Sequence, residues 1–181
     1  MSLVINTSSE TFTIGTPLPT VEQAALAGAR ICRYSGRTRC FWSDLVHSFC
    51  VMDLLDSPVD KFYAAIHDVA SETVVGDILH GIKVDSLKEL ESQIYARVLK
   101  KWGIPLPTDE IKSRVHIADR LAYSGECRLV APVGHTIRRT NISRKAERLT
   151  RHYMKMACRP SRESLEVKEF LKRYYALKEL L

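Results

Sequence analysis

Long uncharged apolar runs and CxxC cysteine pairs are both missing from this chain of 181 residues. Asp44, Asp53 and Asp56 interrupt its most apolar region, which excludes the run of about 18 uncharged residues that a membrane helix needs. The five cysteines are odd in number and include no CxxC pair, which argues against a disulfide framework or a cysteine-based zinc site. The first residues show no basic region followed by an apolar core, so no secretory signal is visible. We therefore expect reduced thiols and a cytoplasmic protein.

The composition is otherwise ordinary, and only the distribution of charge stands out. With 45% hydrophobic and 27% charged residues, the chain resembles a globular domain and not a disordered or collagen-like protein. The net charge of +6 is uneven, because residues 134–181 carry 13 Lys/Arg against 5 Glu, whereas residues 1–133 carry 14 against 16 Asp/Glu. The basic character therefore belongs to the last quarter of the chain.

Hydrophobic periodicity and capping residues predict an all-α fold. A Thr or Ser precedes several of the periodic segments, and Thr20 is followed by Gln23 as in a capping box. Residues 1–16 are expected to form an extended arm, and residues 131–134 a linker. We expect a domain over residues 1–133, with the basic helices of 134–181 packed on it or on a neighbouring subunit. The predicted helices span residues 21–31, 43–55, 60–75, 86–102, 110–129, 143–158 and 161–180.

Two histidines and two aspartates lie on or beside apolar helix faces and form a candidate metal site: His47, His67, Asp68 and Asp119. A carboxylate in such a place is costly unless it is paired or bound to a metal. Any one of these histidines alone is more often a satisfied core residue. Two imidazoles and two carboxylates together suit a divalent ion such as Mn, Fe, Co, Ni, Zn or Mg.

The order and spacing of these residues, H…HD…D, resemble the HD-domain metal-dependent phosphohydrolases. His67 follows His47 after 20 residues, and Asp119 comes about 50 residues later. Residues 21–39, 66–83, 87–106 and 117–126 are also similar to segments of that family. The similarity covers residues 20–130 and is greatest to the nucleotide-hydrolysing branch, which includes 5′-deoxynucleotidases and deoxynucleoside triphosphate triphosphohydrolases of bacteria and phages. The resemblance implies that His47, His67, Asp68 and Asp119 bind the metal.

The resemblance also implies substrate-binding roles for four residues. Arg33 matches a phosphate-binding arginine, and a guanidinium offers bidentate hydrogen bonds to phosphate. Tyr34 stands where the family has an aromatic residue that packs on the nucleoside. Gly36 follows in the same loop and provides no evident selection of the base. Lys83 matches a lysine that neutralises phosphate, although a solvated surface charge is an equally good interpretation of Arg33 and Lys83.

Glu72 and Asp77 are the implied catalytic residues. Glu72 is expected to orient the water or to protonate the leaving oxygen. Asp77 is expected to orient a group or to close the pocket. The family has its catalytic glutamate four residues after the motif histidine, whereas Glu72 follows His67 by five. Our hypothesis is that a π-bulge between Val69 and Val75 absorbs the extra residue.

Three functions are compatible with these features. The first is a metal-dependent nucleotide phosphohydrolase, either a dNTP triphosphohydrolase, with dATP favoured, or a 5′-deoxynucleotidase. The second is an HD phosphodiesterase acting on cyclic nucleotides or nucleic-acid ends, and the third is a non-enzymatic nucleic-acid-binding protein. The family resemblance implies a homo-oligomer in a bacterial or phage-infected cytoplasm.

The basic run between residues 138 and 162 has two interpretations. It holds nine Lys/Arg opposed only by Glu147. A nucleic-acid-binding helix is one interpretation. A solvated or inter-subunit helix pair is the one we favour from the sequence, because charge runs are usually solvated.

Overall fold

The computed structural model describes residues 3–15, 17–78, 83–131 and 143–181, and it confirms the all-α prediction. None of the described helices is long and apolar enough to cross a membrane. The helices are α1 (Val21–Arg30), α2 (Asp44–Leu54), α3 (Pro58–Ile66), α4 (Val69–Val75), α5 (Asp85–Lys101), α6 (Asp109–Leu129), α7 (Arg144–Ala157) and α8 (Arg162–Lys178).

Local capping sets the start of several helices where the sequence predicts them. The Thr20 hydroxyl accepts a hydrogen bond from the backbone amide of Gln23, and the Gln23 side chain accepts one from the backbone amide of Thr20. These two bonds complete the predicted capping box of α1. Ser43, Thr108 and Ser143 likewise accept a backbone amide at the starts of α2, α6 and α7. These side chains satisfy amides that have no partner within the helix.

The predicted N-terminal arm is extended, but its two halves pair with each other. Strand β1 (Leu3–Asn6) runs antiparallel to β2 (Thr11–Ile14), with Ile5 opposite Phe12. Ile5 is fully buried, and the side chain of Gln93 on α5 donates to the Asn6 carbonyl at 2.7 Å. The arm is therefore a hairpin docked on α5.

The single helix predicted over residues 60–75 is wrong, and so is the π-bulge hypothesis. The chain forms α3 and α4 separately, with a turn at His67 and Asp68 between them. Asp68 Oδ2 accepts a hydrogen bond from Arg33 Nη1 at 2.9 Å. The His67 ring bonds through Nδ1 to the Ala64 carbonyl oxygen at 2.8 Å. Because the chain breaks before Val69, the extra residue needs no bulge within α4, which ends at Gly76 as predicted.

Helix α2 lies at the centre of the core, and the other helices surround it. Every residue from Asp44 to Met52 is buried. Helices α1, α3, α6, α7 and α8 all pack against α2. The C-terminal helices contribute Tyr153, Phe170 and Tyr174 to this core, so they pack on the preceding helices of the same chain. Of the predicted linker, residues 132–134 lie outside the described residues.

Candidate metal centre

The fold brings the four predicted metal ligands together from three places in the chain. His47 lies in the middle of α2 and is fully buried, because α2 is covered on all sides. His67 and Asp68 occupy the turn between α3 and α4, and Asp119 lies on α6. Since α2 packs against both α3 and α6, residues distant in sequence face one another.

The candidate ligand atoms lie at separations that a single ion can span. His47 Nε2 is 3.1 Å from Asp119 Oδ1 and 3.6 Å from Asp68 Oδ2. His67 Nε2 is 3.3 Å from the same Asp68 oxygen, and the two imidazole rings are 5.3 Å apart. Ligand atoms of His47, His67 and Asp68 all lie within 4.8 Å of one another. Asp119 adjoins this group through His47.

Hydrogen bonds at the far side of each ring determine which nitrogen faces the site. The Ala64 carbonyl can only accept, so His67 Nδ1 carries a proton and donates it. His47 Nδ1 lies 2.6 Å from Glu126 Oε1, where an ionised carboxylate also accepts. Both Nε2 atoms are buried and have no hydrogen-bond partner in the described part of the chain. The two Nε2 atoms therefore face the candidate site with protein acceptors behind the rings, an arrangement that is typical of metal-binding histidines.

The site holds more negative than positive side chains. Arg33 Nη1 lies 2.9 Å from Asp68 and 3.6 Å from Asp44, and Arg33 Nε lies 3.7 Å from Glu126. Asp44 and Glu126 are fully buried, and both carboxylate oxygens of Asp44 are without a hydrogen-bond partner among the described residues. A cation beside Asp68 and Asp119 would reduce this excess of negative charge, so the residues present fit a divalent metal.

The crowding of charges changes the pKa values of the same groups. Burial lowers the pKa of His47, but the nearby carboxylates of Glu126 and Asp119 outweigh it and raise that pKa to about 10. Burial, with the charges of Asp68 and Asp44, raises the pKa of Glu72 well above its ordinary value. Burial opposes ionisation of Asp68, yet His67 and Arg33 hold its pKa well below the usual range. The site thus contains neighbouring carboxyl groups with opposite tendencies to hold a proton.

A cavity of about 480 Å³ opens beside the four ligands. His67, Asp68 and Asp119 line it, as do the predicted residues Glu72 and Lys83. The ammonium of Lys83 is 2.8 Å from Glu91 Oε1. The remaining lining includes aromatic rings and further basic side chains, namely Tyr63, Tyr95, Lys88, Lys112 and His116. The cavity therefore combines apolar walls with cationic groups close to the candidate metal ligands.

Tyr34 and Gly36 lie in a strained turn, and Asp77 follows the end of α4. None of the three is among the described residues that line this cavity. Tyr34, Ser35 and Gly36 all have positive φ, of 58°, 55° and 74°. The Tyr34 amide donates to Asp77 at 3.1 Å, so Asp77 fastens this turn. The Tyr34 ring is only 6% exposed, and its hydroxyl donates to Glu126 at 2.9 Å. The structure thus places Tyr34 behind His47, whereas a residue that packs on a nucleoside should line the cavity.

Glu126 is the residue of the candidate site that the sequence prediction missed. It accepts hydrogen bonds from both His47 and Tyr34 and is fully buried. Salt bridges to His47 and Arg33 outweigh the effect of burial and lower the pKa of Glu126 to about 2. Glu126 follows Asp119 by seven residues, which places both on one face of α6. That spacing is the signal from which its position could have been predicted.

No protein-family model matches the chain, and no curated protein matches it.

Proposed function

We propose that the protein is a divalent-metal-dependent phosphohydrolase of the HD type that acts on nucleotide phosphate esters, with deoxynucleotides such as dATP as the favoured substrates. The observation that carries this proposal is the pair of buried His Nε2 atoms, each without a hydrogen-bond partner in the described residues. Both face the carboxylates of Asp68 or Asp119 at the edge of the cavity. Such an arrangement is typical of a catalytic metal site with an open side for substrate.

His47, His67, Asp68 and Asp119 would hold the ion. A divalent ion held there would supply a Lewis acid that lowers the pKa of a water molecule and polarises a phosphoryl oxygen. Glu126 and the Ala64 carbonyl keep the two histidines in the tautomer that presents Nε2. Arg33 keeps Asp68 ionised through its 2.9 Å contact, so Asp68 remains a ligand and not a proton donor.

The cavity residues account for binding and departure of the nucleotide. Lys83, Lys88 and Lys112 line the cavity, and each has an acidic neighbour that a phosphate group would replace. Their charges would then stabilise the negative charge of the transition state. Glu72 lies next to Asp68 in the lining, and its buried Oε2 has no hydrogen-bond partner among the described residues. It is therefore available to transfer a proton to the leaving nucleoside oxygen.

A product assay with defined metals tests this proposal. The protein is stripped with a chelator, loaded with Mn²⁺, Co²⁺ or Mg²⁺, and incubated with each dNTP, dNMP and cyclic nucleotide. We expect dATP and water to give deoxyadenosine and triphosphate. Release of phosphate from dNMPs alone indicates the 5′-deoxynucleotidase activity, and opening of cyclic nucleotides indicates the phosphodiesterase alternative.

Two variants identify the site that is responsible. Asp68→Ala is expected to lose turnover and metal-induced thermal stabilisation while keeping its helical circular dichroism. Asp56→Ala is the matched control, because Asp56 is exposed and does not line the cavity. Full activity in Asp68→Ala, or no hydrolysis of any nucleotide by the metal-loaded protein, would contradict the proposal.

A further inference from the structure

The surface of α7 carries a row of basic side chains that the fold itself does not use. The exposed residues of this helix are all basic or histidine: Arg144, Lys145, Arg148, Arg151, His152 and Lys155. Four of them, Arg144, Arg148, Arg151 and Lys155, follow one another at intervals of four, three and four residues, and we call them the α7 stripe. At about 100° per residue, the stripe lies within an arc of about 60°.

The α7 stripe has no acidic partner within the chain. Every Asp and Glu of the sequence lies in the described residues, and none is within 4.0 Å of a stripe side chain. Glu147, the one acidic residue of α7, pairs with Arg128 on α6. Like charges three and four residues apart destabilise a helix. The stripe therefore carries repulsion that no acidic side chain of the chain relieves.

On α5, α6 and α8, some of the surface cations have an acidic partner within the same helix. Lys88 pairs with Asp85 on α5, Lys112 pairs with Asp109 on α6, and Arg173 pairs with Glu169 on α8. Each of these pairs is three or four residues apart, the spacing at which opposite charges stabilise a helix. On α7 the same spacing repeatedly brings together charges of one sign.

We propose that the α7 stripe binds the phosphodiester backbone of a nucleic-acid duplex. Arg144 and Lys155 are 11 residues apart, so the stripe is about 16 Å long. A duplex presents a regular line of phosphates, one per about 3.4 Å of axis on each strand, which a straight row of cations can follow. The recognition would be of the backbone and not of sequence, because phosphate contacts carry no base information.

The chemistry of the helix argues against the other polyanionic partners. A membrane-surface helix inserts an apolar face, whereas the apolar face of α7, with Ala146, Tyr153 and Ala157, is buried in the core. An acidic protein partner would be expected to meet aromatic anchors, and α7 exposes none in the described residues. The same absence of exposed aromatic rings disfavours single strands, which bind by base stacking.

A salt-dependent binding measurement tests the proposal. Fluorescence anisotropy is recorded with labelled 20-base-pair duplexes of DNA and of RNA, and with phosphatidylserine vesicles, between 50 and 200 mM KCl. Four phosphate contacts predict a slope of about −3.6 for log K against log salt on DNA, a loss of roughly 150-fold over this range. The two duplexes distinguish the nature of the backbone. Binding only to vesicles, or to nothing at 50 mM KCl, would overturn the proposal.

Matched charge variants locate the binding surface. The fourfold variant Arg144→Gln, Arg148→Gln, Arg151→Gln and Lys155→Gln is expected to lose duplex binding. The control changes Lys61, Lys100, Lys168 and Lys172 to Gln, which removes the same charge from lysines without an ion pair elsewhere. Equal binding by both variants, or equal loss, would overturn the assignment to α7. If the fourfold variant does not fold, the double variant Arg148→Gln and Arg151→Gln must make the slope of log K against log salt shallower by about 1.8, because two phosphate contacts are lost.

This proposal is independent of the nucleotide chemistry proposed above. No residue of the α7 stripe lines the cavity or contacts the candidate metal ligands. The fourfold variant is therefore expected to hydrolyse nucleotides at the unchanged rate. A protein that binds duplexes but hydrolyses nothing, or the reverse, would support one proposal and contradict the other.

Discussion

Replacing Glu126 by Gln tests whether the residues behind His47 control metal binding. The carboxylate accepts two buried hydrogen bonds, from His47 Nδ1 at 2.6 Å and from the Tyr34 hydroxyl at 2.9 Å. Glutamine has nearly the same shape but no charge. Its amide can also rotate and donate to Nδ1, which would move the imidazole proton to the Nε2 that faces Asp119.

The expected size of the effect follows from those two bonds. A hydrogen bond to a charged group contributes about 1.5–3 kcal/mol, and a neutral one about half as much. Two such bonds weakened by half give a loss of about 1.5–3 kcal/mol in the free energy of unfolding. For the metal, loss of the group that orients a ligand typically lowers affinity 10–100-fold.

Two measurements on Glu126→Gln check these numbers. Urea denaturation of the chelator-treated protein gives the stability, and calorimetric titration with Mn²⁺ or Co²⁺ gives the affinity. Glu166→Gln is the matched control, because Glu166 is equally buried but bonds to Ser43 and does not contact His47. Unchanged metal affinity in Glu126→Gln, or an equal loss in Glu166→Gln, would show that Glu126 does not orient His47.

Three further predictions concern single contacts. Tyr34→Phe removes only the hydroxyl that bonds to Glu126, and we expect a loss of about 1–3 kcal/mol in urea denaturation; a neutral result would contradict the buried bond. Gly125→Ala is expected to cost about 1–3 kcal/mol, because its Cβ would meet Thr150 Oγ1 at 2.8 Å, whereas Gly15→Ala meets nothing and should be tolerated. Burial outweighs the hydrogen bonds of Glu166 and raises its pKa in the folded protein. The contribution of Glu166 to the free energy of unfolding therefore falls as the pH rises through that pKa. The stability of Glu166→Gln relative to wild type should therefore increase between pH 4 and pH 7, and a constant difference would refute this assignment.

Much of the fold was predictable because its signals are local. The starts of α1, α2 and α6 depend on Thr20, Ser43 and Thr108, each of which caps a helix through an amide three residues later. The end of α4 depends on Gly76, whose φ of 86° suits a residue without a side chain. Such contacts span a few residues, so the sequence contains both partners side by side.

The candidate site was predictable only in part. The residue types and their order were enough to place His47, His67, Asp68 and Asp119 in one predicted cluster, and the structure brings them together. The roles of their neighbours were not predictable. At the break between α3 and α4, Asp68 bonds to Arg33, which lies 35 residues earlier in the sequence. The inward-facing Tyr34 bonds to Glu126, 92 residues later.

The sequence by itself determined the helical class and the location of the basic charge in the last quarter of the chain. These properties follow from the composition, from the hydrophobic periodicity of the helices and from capping contacts between residues close in the sequence. Only the tertiary structure decided that Glu126 supports His47 and that four cations of α7 share one face without an acidic partner. The reason is physical: whether a charge is paired or buried depends on which helices pack together, and that packing joins residues that are far apart in the chain.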